Sequence, residues 1–205
     1  MSYSCRNPLS PTPLIVKLGG SLYNQVPALV PIFQESPRPL LIVPGGGQFA
    51  DAVREAALPD DQAHWLAVGA MDQFGKYLGS QGMVTSDVMQ TPEKSTVFLP
   101  CRTMRHYDPL PHSWDVTSDT IAAWVADQLG LELLIVKSVE GILQEGVLAD
   151  TVTEPISTDV VDPCCIPYIL DHRIRATIIS GLFPDRVARF LQGERIPCTR
   201  IGTTF

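Results

Sequence analysis

Most of the chemistry legible in this 205-residue chain lies in two glycine turns, two lysines and one aspartate. Gly19-Gly20-Ser21 follows the apolar run Leu14-Ile15-Val16, and Gly45-Gly46-Gly47 follows Leu40-Leu41-Ile42-Val43 and Pro44. Glycine lets a backbone approach an anion closely with its N–H groups free to donate, and a helix starting just beyond adds a favourable dipole. Lys17 stands at the end of its apolar run, where an ammonium needs a negative partner or a path to solvent. Lys137 closes the run over residues 131–136 in the same way, and Asp119 falls in the first turn of a helical segment, where the dipole favours a carboxylate even if it serves only as a cap. Paired cations and backbone donors are what a phosphoryl group needs while it is being transferred. Neither turn is a Walker loop or a dinucleotide fingerprint: Gly75-Lys76 is followed by Tyr77, and no G-x-G-x-x-G occurs.

The elements that must position these residues alternate. Short β-prone runs end in the glycine turns, and residues 26–34 and 48–57 read as helices behind them, the first weakened by Pro27 and Pro31. Residues 60–78 carry apolar side chains at 63, 66, 67, 70, 71, 74 and 78, a helical period over five turns, and Trp65 and Val68 lie off that stripe. Those two either offer an exposed edge for self-association or widen a buried face. A third strand is expected over residues 96–99 and a helix over 117–129, with Thr117 or Ser118 as N-cap and Gly130 at its end. The two-sided apolar run 131–136 suits a central parallel strand. A hairpin over 142–150 turning at Glu145-Gly146, a helix over 163–172, a strand over 177–179 and a helix over 185–191 complete the order. Such alternation predicts an α/β fold in which helices cover both faces of a mainly parallel sheet and ligands bind at the carboxyl ends of the strands.

Composition narrows the function classes. Fifteen basic residues against twenty-two acidic ones give a net charge of −7, unlike a protein whose affinity for nucleic acid comes from a basic surface. No apolar run reaches the roughly 20 residues of a membrane helix, and residues 1–12 read as a flexible lead-in without the apolar core of a signal peptide. The expectation is one domain over residues 1–205, located in the cytoplasm. Five cysteines without C-x-x-C spacing and four scattered histidines point to neither a disulfide framework nor a metal site.

Four segments together resemble the signatures of the amino acid kinase superfamily: Val16-Lys17-Leu18-Gly19-Gly20-Ser21, Val43-Pro44-Gly45-Gly46-Gly47, Thr117-Ser118-Asp119-Thr120-Ile121-Ala122-Ala123 and Val136-Lys137-Ser138-Val139-Glu140-Gly141-Ile142. The ending, with Ile201-Gly202-Thr203, is similar to that of uridylate kinases. The resemblance implies a three-layer αβα sandwich with a sheet of about eight strands, MgATP on the C-terminal half and the acceptor on the N-terminal half. By that comparison Lys17, Gly19 and Gly20 stabilise the transferred phosphoryl group, Asp119 orients the lysines, and Ser21, Lys137, Ser138, Val139 and Gly141 line the nucleotide site. Gly45, Gly46 and Gly47 hold the acceptor side. The family implies ATP and Mg2+, the ion being carried largely by phosphates and water, and a homo-oligomer.

One departure matters: many members carry a further catalytic lysine after the hairpin, yet residues 148–170 contain neither lysine nor arginine. Lys137, Arg173 or Arg175 must supply that charge, or catalysis is impaired. The stretch Leu110-Pro111-His112-Ser113-Trp114-Asp115-Val116-Thr117-Ser118-Asp119 resembles a compact subgroup from methanogens and methylotrophs that phosphorylates [5-(aminomethyl)furan-3-yl]methyl phosphate towards methanofuran. For such an acceptor, Asp115 or Asp51 would meet the ammonium and Trp114 the furan, unless Trp114 belongs only to the core. Arg54 would lie near the phosphate and Thr117 and Ser118 beside it. The alternatives are a kinase of uridylate, acetylglutamate or isopentenyl phosphate, and a non-catalytic storage protein on the same fold.

Overall fold

The computed structural model describes residues 12–202, so Cys5, Thr203 and all of the expected lead-in except Thr12 lie outside the described residues. Strand β1 (Leu14–Leu18), a 3-10 turn (Gly20–Gln25) and helix α1 (Val26–Gln34) lead to β2 (Leu40–Pro44), α2 (Gln48–Glu55) and the long α3 (Asp60–Ser80). Next come β3 (Val84–Ser86), β4 (Thr96–Phe98), α4 (Cys101–Tyr107), α5 (Ser118–Leu129) and β5 (Glu132–Lys137). The hairpin β6 (Leu143–Gln144) and β7 (Val147–Leu148) is followed by β8 (Thr151–Val152), α6 (Cys165–Asp171), β9 (Ala176–Ser180), α7 (Pro184–Leu191) and β10 (Thr199–Ile201).

Eight of these strands form one sheet in the order β3-β4-β2-β1-β5-β9-β10-β8. Its pairs are parallel except β9 with β10. The central strands alternate their side chains between two cores, as the two-residue period of a strand requires. Ile15, Leu133, Ile135 and Ile178 pack on one face with Ile121 and Val125 of α5 and Ile166 of α6. Leu14, Val16, Leu134 and Ile179 pack on the other with Leu29 and Phe33 of α1 and Val187 of α7. This is the three-layer αβα arrangement, and it explains why β5 is apolar on both sides.

The parity of β1 and β5 places the chemistry. Lys17 shares a face with Ile15, and Lys137 with Leu133 and Ile135, so both lysines leave adjacent strands on the α5 side. Register pairs Lys17 with Ile135 and Leu18 with Val136, so the two lysines emerge together at the carboxyl edge.

Several expectations shift. The exposed strand β3, the helix α4 and the short strands β8 and β10 carry no sustained periodic signal and escape a reading by pattern. On α3, Val68 is 2% exposed and Trp65 packs against the same core, while Leu66 on the expected stripe is 52% exposed. The reason is that α3 packs on α2, α4 and the sheet at once, which widens and rotates its buried arc. Trp65 and Val68 therefore form no exposed edge.

Candidate active site

The first glycine turn is stitched into the sheet where β1 ends. Gly19 N–H donates to Val136 O at 2.8 Å, and Gly45 N–H donates to Leu18 O at 2.8 Å. Both amides are thus committed to the backbone rather than free for an anion. The turns also press on each other, since a Cβ on Gly20 would stand 2.2 Å from Gly47 N; one on Gly46 would stand 2.4 Å from the Ala50 methyl of the following helix α2. Gly47 also has φ +54°, in the region glycine enters most readily. Part of the glycine content therefore serves contact between the loops. Gly20, Gly46 and Gly47 still line the cavity that opens in front of them.

At the floor of that cavity Asp119 bridges the lysines. Lys17 Nζ lies 2.7 Å from its Oδ1, and Lys137 Nζ donates to its Oδ2 at 2.7 Å. Lys17 and Asp119 are each 3% exposed, so the pair is desolvated and its electrostatics are strong. Burial pushes the Lys17 ammonium down to about 8, with Asp119 opposing the fall and Lys137 adding to it. Burial also pushes the Asp119 carboxyl up, but the combined pull of the two lysines outweighs it and holds the carboxyl below its usual range. Two cations on one carboxylate leave a net positive charge facing the cavity.

Asp119 is held in place by the start of α5. Thr117 occupies the N-cap position, yet its side chain does not cap its own helix. Its hydroxyl and N–H donate instead to Asp162 Oδ2 at 2.8 and 2.9 Å, and Thr120 N–H joins them at 3.0 Å. The Thr120 hydroxyl donates to Asp162 Oδ1. Asp162 gives no signal in the sequence, being a single acid between Val161 and Pro163 whose partners lie more than forty residues away.

The cavity, of about 500 Å3, runs from Lys17, Lys137, Thr117 and Ser118 to a far wall made by α2, α3 and Trp114. Asp51 and Arg54 enter from α2, and Asp60 and His64 from α3. The Arg54 guanidinium lies 4.6 Å over the Trp114 ring, a cation–π contact that fixes both. Trp114 is half-buried and lines the cavity, so it is not solely a core residue. His64 stacks on His112 with ring centroids 4.2 Å apart, and His112 is gripped by Asp61 at 2.5 Å and Asp108 at 2.7 Å. The hydrogen bond to Asp108 leads in raising the His112 imidazole, against burial and together with Asp61; burial, then His112, lowers His64. Asp60 and His64 line the cavity, although periodicity alone files them as the solvent and core positions of a helix.

Other expected residues lie elsewhere. Asp115 is exposed and absent from the cavity lining; its N–H donates to Ser113 Oγ and its carbonyl accepts from Cys164 N–H. The segment after β5 joins the first turn through Ser21 Oγ, which donates to Ser138 Oγ at 3.0 Å. Val139 is exposed, and Gly141 packs against Thr199 and Leu148, so neither reaches the cavity. Arg175 pairs with Glu132 at 2.6 Å, at the opposite end of β5 from Lys137. Arg173 lies in the turn before β9, at that same end. With Leu133 opposite Ala176 and Lys137 opposite Ser180, that end is about 13 Å from the lysines at 3.3 Å per residue. Neither arginine reaches the lysine-carboxylate cluster, whereas Lys137 is part of it. Burial, reinforced by nearby carboxylates, pushes both thiols of the Cys164-Cys165 pair up, and Cys165 is a core residue.

No protein-family model matches the chain. It is 28% identical to a [5-(aminomethyl)furan-3-yl]methyl phosphate kinase from Methanocaldococcus jannaschii, over 91% of this chain and 96% of that protein. Among solved structures, the uridylate kinase of Archaeoglobus fulgidus superposes with a TM-score of 0.68 at 16% identity, covering 92% of this chain and 99% of that one. The UMP kinase of Ureaplasma parvum gives 0.71 at 14%, covering 94% and 99%. An isopentenyl phosphate kinase gives 0.64 at 15%, covering 92% and 100%.

Proposed function

From a chain with the amino acid kinase fold and the sequence likeness of a small-molecule kinase, we propose an ATP-dependent transfer of a phosphoryl group to the phosphate of a small amine-bearing acceptor. The acceptor that fits best is [5-(aminomethyl)furan-3-yl]methyl phosphate, giving its diphosphate on the way to methanofuran. The observation that carries this reading is the Lys17–Asp119–Lys137 cluster at the floor of a cavity whose far wall bears Asp51 and Asp60. The acceptor's phosphate lies towards the lysines, and its ammonium lies towards the two carboxylates.

In the reaction an acceptor phosphate oxygen attacks the γ-phosphorus of ATP in line, the bond to the β,γ-bridging oxygen breaks, and ADP leaves. Lys17 and Lys137 stabilise the negative charge spread over the moving group, with the amides of the cavity-lining Gly20, Gly46 and Gly47, rather than the committed ones of Gly19 and Gly45, as further donors. Asp119 keeps the two ammonium groups from repelling each other apart. No covalent enzyme intermediate is required. Mg2+ arrives with the nucleotide in this reading; among the described residues no group of three or more His, Cys, Asp and Glu side chains is arranged to hold an ion. Among the described residues no helix is long and apolar enough to cross a membrane, and we place the enzyme in the cytoplasm as a homo-oligomer.

The test is ADP release from MgATP with the aminomethylfuran phosphate, UMP, acetylglutamate, glutamate, carbamate and isopentenyl phosphate, with Lys17→Ala as control. Selective turnover of the furan phosphate, lost in the control, is the expected result. Preference for another acceptor overturns the substrate, and nucleotide binding without turnover overturns the kinase in favour of a binding protein.

A further inference from the structure

We propose that Asp162 is a positioning residue that holds Asp119 between the two lysines through the amino end of α5. Its carboxylate is 8% exposed and receives four hydrogen bonds, all from Thr117 and Thr120. Those residues flank Asp119 on both sides, so the peptide carrying the bridging carboxylate is clamped before and after it. A local N-cap would ordinarily satisfy this helix end. Here the cap comes from a distant loop that is itself tied down, with Cys165 N–H donating to Asp162 O at 3.0 Å and Cys164 N–H to Asp115 O at 3.1 Å. The loop after the hairpin, where many relatives by resemblance carry a further lysine, thus sets the position of the carboxylate that both lysines need.

A helix cap alone would change stability only. A positioning residue also changes the charge state of Lys17, because Asp119 from α5 favours its protonated form while Lys137 from β5 and burial oppose it. Moving Asp119 away removes the one favourable partner among the described residues. The chain has four lysines, and Lys76 and Lys94 are exposed, so ε-methylene NMR of 13C-lysine-labelled protein resolves the titration of Lys17, assigned by Lys17→Arg.

The experiment titrates the full chain, Asp162→Asn and Thr120→Val, the last removing one hydroxyl donor and keeping the fold should the first variant not fold. The Lys17 midpoint is expected to fall by at least about half a unit in the folded variants, with Lys76 and Lys94 unmoved. An unchanged or higher midpoint overturns the proposal. The kinetic consequence rests on the phosphoryl-transfer reading: kcat falls by about 10- to 100-fold, as for a misplacement near 1 Å, with both KM values nearly constant. Absence of turnover in the unsubstituted chain would sink that reading, whereas the Lys17 titration would still test the clamp.

Discussion

Lys137 Nζ lies 2.7 Å from Asp119 Oδ2, and this contact ties the end of β5 to the first turn of α5 across the site. It places a second ammonium beside Lys17 without any lysine in the segment after the hairpin. The reading of the chain as a non-catalytic storage protein drew its support from that missing lysine, and Lys137 is a second cation already in contact with the bridging carboxylate.

Lys137→Ala is expected to lower kcat by about 10^2- to 10^3-fold, the scale of losing one group that stabilises transition-state charge. Because Lys137 is only partly buried, with 17% of its side chain exposed, the fold should survive. Steady-state kinetics with circular dichroism as a check on folding measure both. Activity within about threefold of the unsubstituted chain would assign the second charge elsewhere.

Asp119→Ala leaves two ammonium groups facing each other in a desolvated site. Removing one partner of a buried ion pair costs about 3–5 kcal/mol, and here two lysines lose the same partner. Denaturant unfolding should therefore show a large loss of stability together with loss of activity, and Asp119→Asn should recover the shape without the charge. A stability unchanged by Asp119→Ala would show that the lysines find solvent.

The pH dependence follows from Lys17. Its folded value of about 8 lies below the ordinary 10.5, so between these values the unfolded chain binds the extra proton. Stability from this group therefore rises with pH across that window, and its burial penalty is fully present below about pH 8. Under the proposed phosphoryl transfer, activity runs the other way, because the Lys17 charge is lost as pH rises through about 8. The expected profile is a kcat that declines above pH 8 without any loss of stability due to Lys17. A plateau to pH 10 would contradict it.

How much of this was legible in the sequence depends on the range of the signal. Lys17, Lys137 and the glycine turns were readable because each ends a strand whose period and apolarity are local. That Lys137 rather than Arg173 or Arg175 joins Asp119 required the register of β5 with β9. Asp162 was not legible, since nothing in its neighbourhood announces partners at Thr117 and Thr120. Thr117 reads as an ordinary N-cap for the same reason. Glycine at position 20 reads as an anion cradle, whereas much of its necessity is the approach of Gly47.

That approach makes Gly20→Ala a stringent substitution. The new methyl would stand 2.2 Å from Gly47 N and 2.3 Å from its Cα, both backbone atoms that cannot rotate away. Overpacking of this kind costs about 1–3 kcal/mol and would part the two turns. The expected outcome is a lower unfolding midpoint together with a kcat loss, whereas Gly69→Ala in the interior of α3, whose Cβ would meet nothing within 4 Å, should stabilise the fold by about 0.5–1 kcal/mol and leave kcat unchanged.

The far wall of the cavity separates two acidic residues that the sequence could not. All three of Asp51, Asp60 and Asp115 are exposed, but only Asp51 and Asp60 line the cavity. An exposed ammonium–carboxylate pair is worth about 0.2–1 kcal/mol, or roughly 1.4- to 5-fold in affinity. Asp60→Asn and Asp51→Asn should therefore raise KM for an amine-bearing acceptor, leaving KM for ATP as it was, and Trp114→Ala should do the same by freeing Arg54. Asp115→Ala should change neither. Should Asp115→Ala raise the acceptor KM while Asp60→Asn does not, the acceptor lies outside this cavity and its amine is read on the other side of Trp114.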